Sequence, residues 1–261
     1  MDEILKSLNE EQIKPVKDTE GAVLVLAGAG SGKTRVLTSR IAYILENCDC
    51  RPSNVLAITF TNKAAKEMKE RVEAILGDIG GMWICTIHSM CVRILRHFGG
   101  AIDIQPNFSI YSETERVNII KKIFKELDLK LDEKLFKSVK LHVGHAKMLG
   151  LDADTYGVRY KGEENIVTAM QVYSRYCEYL EESNSLDFDD LLIKTLRLLR
   201  ANKDAHEYLS DKFRYILVDE FQDTNTVQFN IIKLLASKHG HLFAVGDDDQ
   251  SIYGWRCAEI E

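Results

Sequence analysis

The segment Ala27-Gly28-Ala29-Gly30-Ser31-Gly32-Lys33-Thr34 constrains this chain more than any other. An apolar run at residues 22–26 precedes it and reads as a buried strand, while Leu37, Ile41, Ile44 and Leu45 behind it share one helical face. A glycine-rich loop between a strand and a helix lets backbone N–H groups wrap a phosphate. The glycines permit the tight path, and the helix N-terminus adds a positive field. In that frame Lys33 reaches the β- and γ-phosphates and the Thr34 hydroxyl holds Mg²⁺. The strict pattern opens with Gly where this chain has Ala27, one methyl that the remaining glycines accommodate. The expectation is a nucleoside triphosphate site in an α/β protein.

Alternation supports the fold class. Residues 54–60 read as a second buried strand, running into a helix with Ala65, Met68, Val72 and Ile75 on one face. Residues 82–86 read as a third strand, again followed by a helical pattern. Strands alternating with helices predict a parallel sheet flanked by helices, with ligands beyond the carboxyl ends of the strands. Two polar stretches, Thr59 to Asn62 and Thr86 to Ser89, fall at such ends, where helix capping is the commoner duty of a lone polar residue. From Ser112 the pattern turns helical. Ser112-x-x-Glu115 is a capping box, and Ile166, Met170, Tyr173, Cys177 and Leu180 mark a long amphipathic helix. No strand is evident between Ser112 and Ser185, which predicts an inserted helical module with its most loop-like part at 152–164. The tyrosines at 173, 176 and 179 read as core and amphipathic surface.

A helix is expected to open at Ser185-Leu186-Asp187-Phe188-Asp189-Asp190, its carboxylates favoured by the helix dipole. Residues 213–218 then read as a strand ending in Asp219-Glu220. That is the second half of a phosphate-loop site, in which Asp219 holds Mg²⁺ and Glu220 polarises an attacking water. The halves lie roughly 185 residues apart, far more than one crossover needs, which independently supports an insertion. A last strand, residues 242–245, leads into Gly246-Asp247-Asp248-Asp249-Gln250-Ser251-Ile252-Tyr253-Gly254-Trp255-Arg256. Gln250 can there reach a γ-phosphate, and Tyr253 and Trp255 offer stacking faces for bases.

Composition adds exclusions. A hydrophobic share of 45% and a charged share of 28% suit a globular chain, and no stretch approaches the ~18 apolar residues of a membrane span. The start lacks a signal-peptide layout, so the six cysteines are expected to be free thiols in the cytoplasm. Cys48-x-Cys50 and His142-x-x-His145 lack a second pair at zinc spacing. The net charge of −6 neither announces nor excludes a nucleic-acid partner, because a groove can be basic on an acidic body.

Taken together, AGAGSGKTR, TFTNKAA, VDEFQDTN and GDDDQSIYGWR, with Leu8 to Gln12, Thr86 to Ser89 and Leu186 to Leu191, follow one family's order across nearly the whole chain. The chain resembles the superfamily I DNA helicases of the UvrD/PcrA/Rep group. The resemblance implies a RecA-like motor domain at 1–111 and 186–261 with an inserted helical subdomain at 112–185. It implies ATP and Mg²⁺ as cofactors, single-stranded and junction DNA as partner, 3′–5′ translocation, duplex unwinding, and duties in DNA repair or replication. By position, Gln12 resembles the adenine-reading glutamine and Arg35 the residue against the adenine ring. Ala27 to Thr34 resemble the phosphate cradle, Asp219 the magnesium partner, Glu220 the catalytic base and Gln250 the γ-phosphate sensor. Phe60, Thr61, Asn62, His88, Tyr253 and Trp255 fall in stretches similar to the family's single-strand contacts.

Phe221 stands where relatives often have Tyr, and Cys257 replaces the usual Gly. The family continues with a second motor domain that supplies arginines to the γ-phosphate. The chain is therefore expected to be the N-terminal part of a longer protein, nearly inactive alone. The alternatives are the motor subunit of a recombination helicase–nuclease and, in another class, a phosphate-loop phosphotransferase or GTPase. Against a GTPase, Asn62-Lys63 is followed by Ala64-Ala65, without the aspartate of a guanine reader.

Overall fold

The computed structural model describes residues 5–28 and 30–247. The chain forms two compact units, one of residues up to Met90 together with those from Leu199, the other Cys91–Leu198.

The first unit is built on a five-stranded sheet. Its strands are β1 (Ala22–Leu26), β2 (Val55–Thr59), β3 (Trp83–Thr86), β6 (Tyr215–Val218) and β7 (His241–Gly246), in the spatial order β1-β7-β6-β2-β3. Every pairing is parallel. β2 is buried at all five positions and β6 at all four, as strands covered on both faces must be. The helices of this unit include α1 (Glu10–Lys17), α2 (Lys33–Asn47) and α3 (Asn62–Leu76). In α2, Val36, Leu37, Ile41 and Ile44 pack on Ala57, Leu217, Phe243 and Val245 of the sheet. In α3, Ala65, Met68 and Val72 are buried, while Lys63–Glu67, Lys66–Glu70 and Lys69–Glu73 pair along the exposed face at helical spacing.

The helix α4 (Ile87–Phe98) contains the boundary into the second unit, and α9 (Phe188–Ala201) contains the boundary out of it. Between them lie a short strand β4 (Ser109–Tyr111), the helices α5 (Glu113–Glu126), α6 (Glu133–Met148), α7 (Ala153–Arg159) and α8 (Ile166–Glu182), and β5 (Ser185–Asp187). The core of this unit joins Ile120 and Phe124, Val139 and Val143, and Val172, Tyr176 and Leu180. Tyr173 and Tyr176 are core residues, as their spacing predicted.

Two local readings change. Residues 152–164 are not a loop throughout, because Asp152 caps α7 by accepting from the Thr155 N–H. Ser185 to Asp187 do not open a helix. They pair in parallel with Ser109 to Tyr111, a partner 76 residues upstream that no local periodicity reveals. The second unit, Cys91–Leu198, contains the 112–185 span expected for the insertion.

Asp189 and Asp190 lie in the first turn of α9, as expected, and together with Asp187 before it they also build an ion network. Lys147, 4% exposed, donates to Asp187 and Asp190, each at 2.7 Å, and Tyr176 donates to Asp187 at 2.9 Å. Burial works against the Lys147 ammonium, but the charges of Asp190 and Asp187 outweigh it and hold its pKa above the ordinary lysine value. Arg116 pairs with Asp189 at 3.0 Å. The histidines of the 142–145 pair both meet the Tyr156 hydroxyl, at 3.3 and 2.8 Å.

Candidate nucleotide site

Because the five strands are parallel, their carboxyl ends lie along one edge of the sheet. The loop after β1, Phe60 to Asn62 after β2, His88 after β3, Asp219-Glu220 after β6 and Asp247 after β7 all emerge at that edge. Residues separated by nearly the length of the chain thus become neighbours. The Ala27 N–H donates to the Gly246 carbonyl at 3.0 Å and fastens the start of the loop to β7.

Gly32 sits at φ +88 directly before α2, in the left-handed region that disfavours a side chain. A Cβ there would also lie 3.0 Å from Gln12 Nε2, so glycine serves both the backbone path and the approach of Gln12. Gln12 is held firmly. Its Oε1 accepts from the Asn9 N–H at 3.1 Å, and its Nε2 donates to the Ser31 carbonyl at 2.8 Å. A carboxamide has two donors and two acceptor sites, so with its partners among the described residues counted, one N–H and one lone pair remain for a ligand. The helix carrying Gln12 is anchored by Arg40 of α2. That buried guanidinium donates to the carbonyls of Pro15 and Asp18 and lies 4.2 Å over the Phe243 ring. Burial pushes its pKa down to about 10, against the pull of Asp18.

A cavity of about 280 Å³ is lined by Gly32, Lys33, Thr34, Arg35 and Arg71. Arg71 belongs to α3 and brings a second guanidinium beside exposed Arg35. Lys33 Nζ donates to the Ala27 carbonyl at 3.1 Å and pairs with Asp247 Oδ2 at 3.3 Å. From β6, Asp219 places its Oδ1 3.1 Å from the Glu220 N–H. Burial, and after it the charge of Glu220, raise the Asp219 carboxyl to about 6, against the Glu220 N–H bond and the weaker pull of Lys33. Such a carboxylate is under-compensated, which suits it to a cation. Mg²⁺ needs only one or two protein oxygens when phosphates and water supply the rest, so Thr34 and Asp219 fit it. Among the described residues no cluster of three or more His, Cys, Asp or Glu could hold a metal without such a ligand.

Glu220 lies in the left-handed region at φ 49 and ψ 50, a conformation that costs a non-glycine residue about 1–3 kcal/mol. It is held there by the Asp223 N–H on the Glu220 carbonyl at 3.0 Å. Its carboxylate accepts from Gln222 Nε2 at 2.8 Å, and Gln222 Oε1 accepts from the Asp247 N–H at 3.0 Å. A continuous chain of contacts therefore runs from Lys33 through Asp247 and Gln222 to Glu220.

The residues expected to meet nucleic acid stand at the same edge. Phe60 and His88 are half-buried; Thr61 and Asn62 are exposed. The Thr61 hydroxyl caps α3 by accepting from the Ala64 N–H, and the Thr86 hydroxyl accepts from the Ser89 N–H. Ala29, Gln250, Tyr253 and Trp255 lie outside the described residues. Sequence reading missed Arg71, Gln222, Asp247 and Arg40. Gln222 sits two residues past Glu220 in a conspicuous motif, but its partner just after β7 is fixed only by the strand order.

The family model for the UvrD/REP helicase N-terminal domain matches residues 8–261. The chain is similar to the ATP-dependent DNA helicase PcrA of Staphylococcus aureus strain Mu50, 47% identical over 264 residues. It is 46% identical over 264 residues to the PcrA of Staphylococcus epidermidis strain RP62A. Each alignment covers 100% of this chain and 36% of the relative, so the chain spans about a third of the length of the curated proteins it matches. With a family model matched over nearly its whole length, this chain belongs to the UvrD/REP helicase N-terminal domain family.

Proposed function

We propose that this chain is the ATP-binding part of a DNA helicase motor that moves 3′ to 5′ along single-stranded DNA and opens the duplex ahead of it. The observation that carries the reading is the convergence of Lys33, Asp219 and Glu220 at one sheet edge, joined through Asp247 and Gln222. The free N–H and lone pair of Gln12 suit the N7 acceptor and N6 amino donor of adenine, which favours ATP over GTP. Arg35 and Arg71 flank the same cavity as cationic planes for the base and its phosphates.

On binding, the γ-phosphate takes Lys33 away from Asp247, and the loop N–H groups take the β-phosphate. Thr34 and Asp219 would hold Mg²⁺, which neutralises charge on the phosphates. Glu220 orients the attacking water and accepts its proton. Phe60, Thr61, Asn62 and His88 offer a DNA surface on this domain; by family resemblance Tyr253 and Trp255 also contact DNA and Gln250 senses the γ-phosphate. The span of residues 112–185 serves as the accessory subdomain, and the motor works in the cytoplasm.

The test is hydrolysis and unwinding by the complete polypeptide. ATP turnover rising at least tenfold with single-stranded DNA, GTP turnover remaining low, and opening of partial duplexes with a 3′ tail but not a 5′ tail are expected. DNA-independent turnover, or transfer of phosphate to a small acceptor, would sink the reading.

A further inference from the structure

The geometry points to Gln222 as a positioning residue for ATP hydrolysis, whose carboxamide aims the Glu220 carboxylate and ties it to the tip of β7. Gln222 is 4% exposed, and both ends of its side-chain amide are engaged at that tip. Its Nε2 donates to Glu220 Oε2 at 2.8 Å, and its Oε1 accepts from the Asp247 backbone N–H at 3.0 Å. The two contacts reach different strands, Glu220 following β6 and Asp247 following β7. Glutamine alone among side chains of this length offers a donor and an acceptor on one rigid plane. Glutamate would face Glu220 with a second acceptor, and methionine would offer neither group.

The surroundings are shaped for it. A Cβ on Gly246 would stand 3.0 Å from Gln222 Oε1 and 3.5 Å from its backbone nitrogen, so glycine there admits the amide. The need for an external hold is evident at Glu220, whose left-handed backbone points its side chain along a path few residues adopt. Asp247, to which Gln222 is bonded, is also the residue paired with Lys33. When a triphosphate draws Lys33 away, the β7 tip and the Glu220 carboxylate respond through one shared amide. This inference rests on Glu220 being the base of the proposed reaction.

The experiment measures DNA-stimulated ATP turnover and nucleotide affinity in the complete polypeptide, for wild type, Glu220→Gln, Gln222→Met, Gln222→Glu and Glu220→Gln/Gln222→Met. A catalytic group misplaced by about 1 Å costs roughly 100-fold. Gln222→Met and Gln222→Glu are thus expected to lower kcat about 10- to 100-fold, with the Kd for a fluorescent ATP analogue within twofold of wild type. Adding Gln222→Met to Glu220→Gln is expected to cost nothing further. Wild-type kcat in both single variants, kcat falling only in step with Kd and melting temperature, or additive losses in the double variant would overturn it. If instead wild type hydrolyses no ATP, or Glu220→Gln retains full turnover, the functional reading itself fails.

Discussion

At the scale of single residues the site is a balance of buried charge. Asp219 is the clearest case, with its carboxyl raised to about 6 by burial and then by the Glu220 charge. Its folded value exceeds the unfolded one, so its contribution to stability is full below the ordinary carboxylate range and is lost as pH rises through about 6. Asp219→Asn is therefore expected to stabilise the nucleotide-free protein by about 1–3 kcal/mol at pH 8 and to leave it unchanged near pH 4, by urea denaturation. The same substitution should weaken Mg²⁺-dependent nucleotide binding, and wild-type affinity should decline as pH falls from 7 to 5. A less stable Asp219→Asn protein at pH 8 would show that the carboxylate is already compensated.

At the scale of elements, two side chains fix how helices meet their neighbours. Arg40 of α2 satisfies the carbonyls of Pro15 and Asp18 and so sets the helix that carries Gln12. Arg40→Leu should cost about 1–3 kcal/mol, because two charge-assisted hydrogen bonds from a buried guanidinium are lost, and should weaken ATP binding more than GTP binding in equilibrium titrations. In the second unit, Lys147→Met strands Asp187 and Asp190 as buried charges without their cation. The expected loss is about 3–5 kcal/mol by chemical denaturation, partly recovered when both aspartates become asparagine. Elements with strong local signals were legible from sequence. The capping box at Ser112 and Glu115 and the apolar stripe of α8 need no distant partner to be read. What escaped depends on pairing. β5 exists because Ser109 to Tyr111 offers it a ladder, and β6 starts at Tyr215 rather than Phe213 because pairing with Val55 and His241 begins there. The ion network of Asp187 and Asp190 escaped likewise, since its cation comes from α6.

At the scale of the molecule, a parallel sheet gathers its working residues at one edge, and its strand order decides which of them touch. Lys33, Asp219 and Glu220 were legible as separate halves of one site. The insertion of β7 between β1 and β6 was not, and it is what brings Asp247 and Gln222 between those halves. The chain spans 36% of its curated relatives, and on the proposed reading a second motor domain supplies arginines to the γ-phosphate, worth about 10³–10⁵ in rate where such fingers act. Residues 1–261 alone should therefore turn over ATP roughly 10³-fold more slowly than the complete polypeptide. Whether Glu220 drives hydrolysis is read from Glu220→Gln in the complete polypeptide, with ATP affinity and single-turnover hydrolysis measured on the same sample. Unchanged affinity and hydrolysis slowed by about 10²–10⁴ are expected if Glu220 is the base. Hydrolysis at the wild-type rate would contradict it.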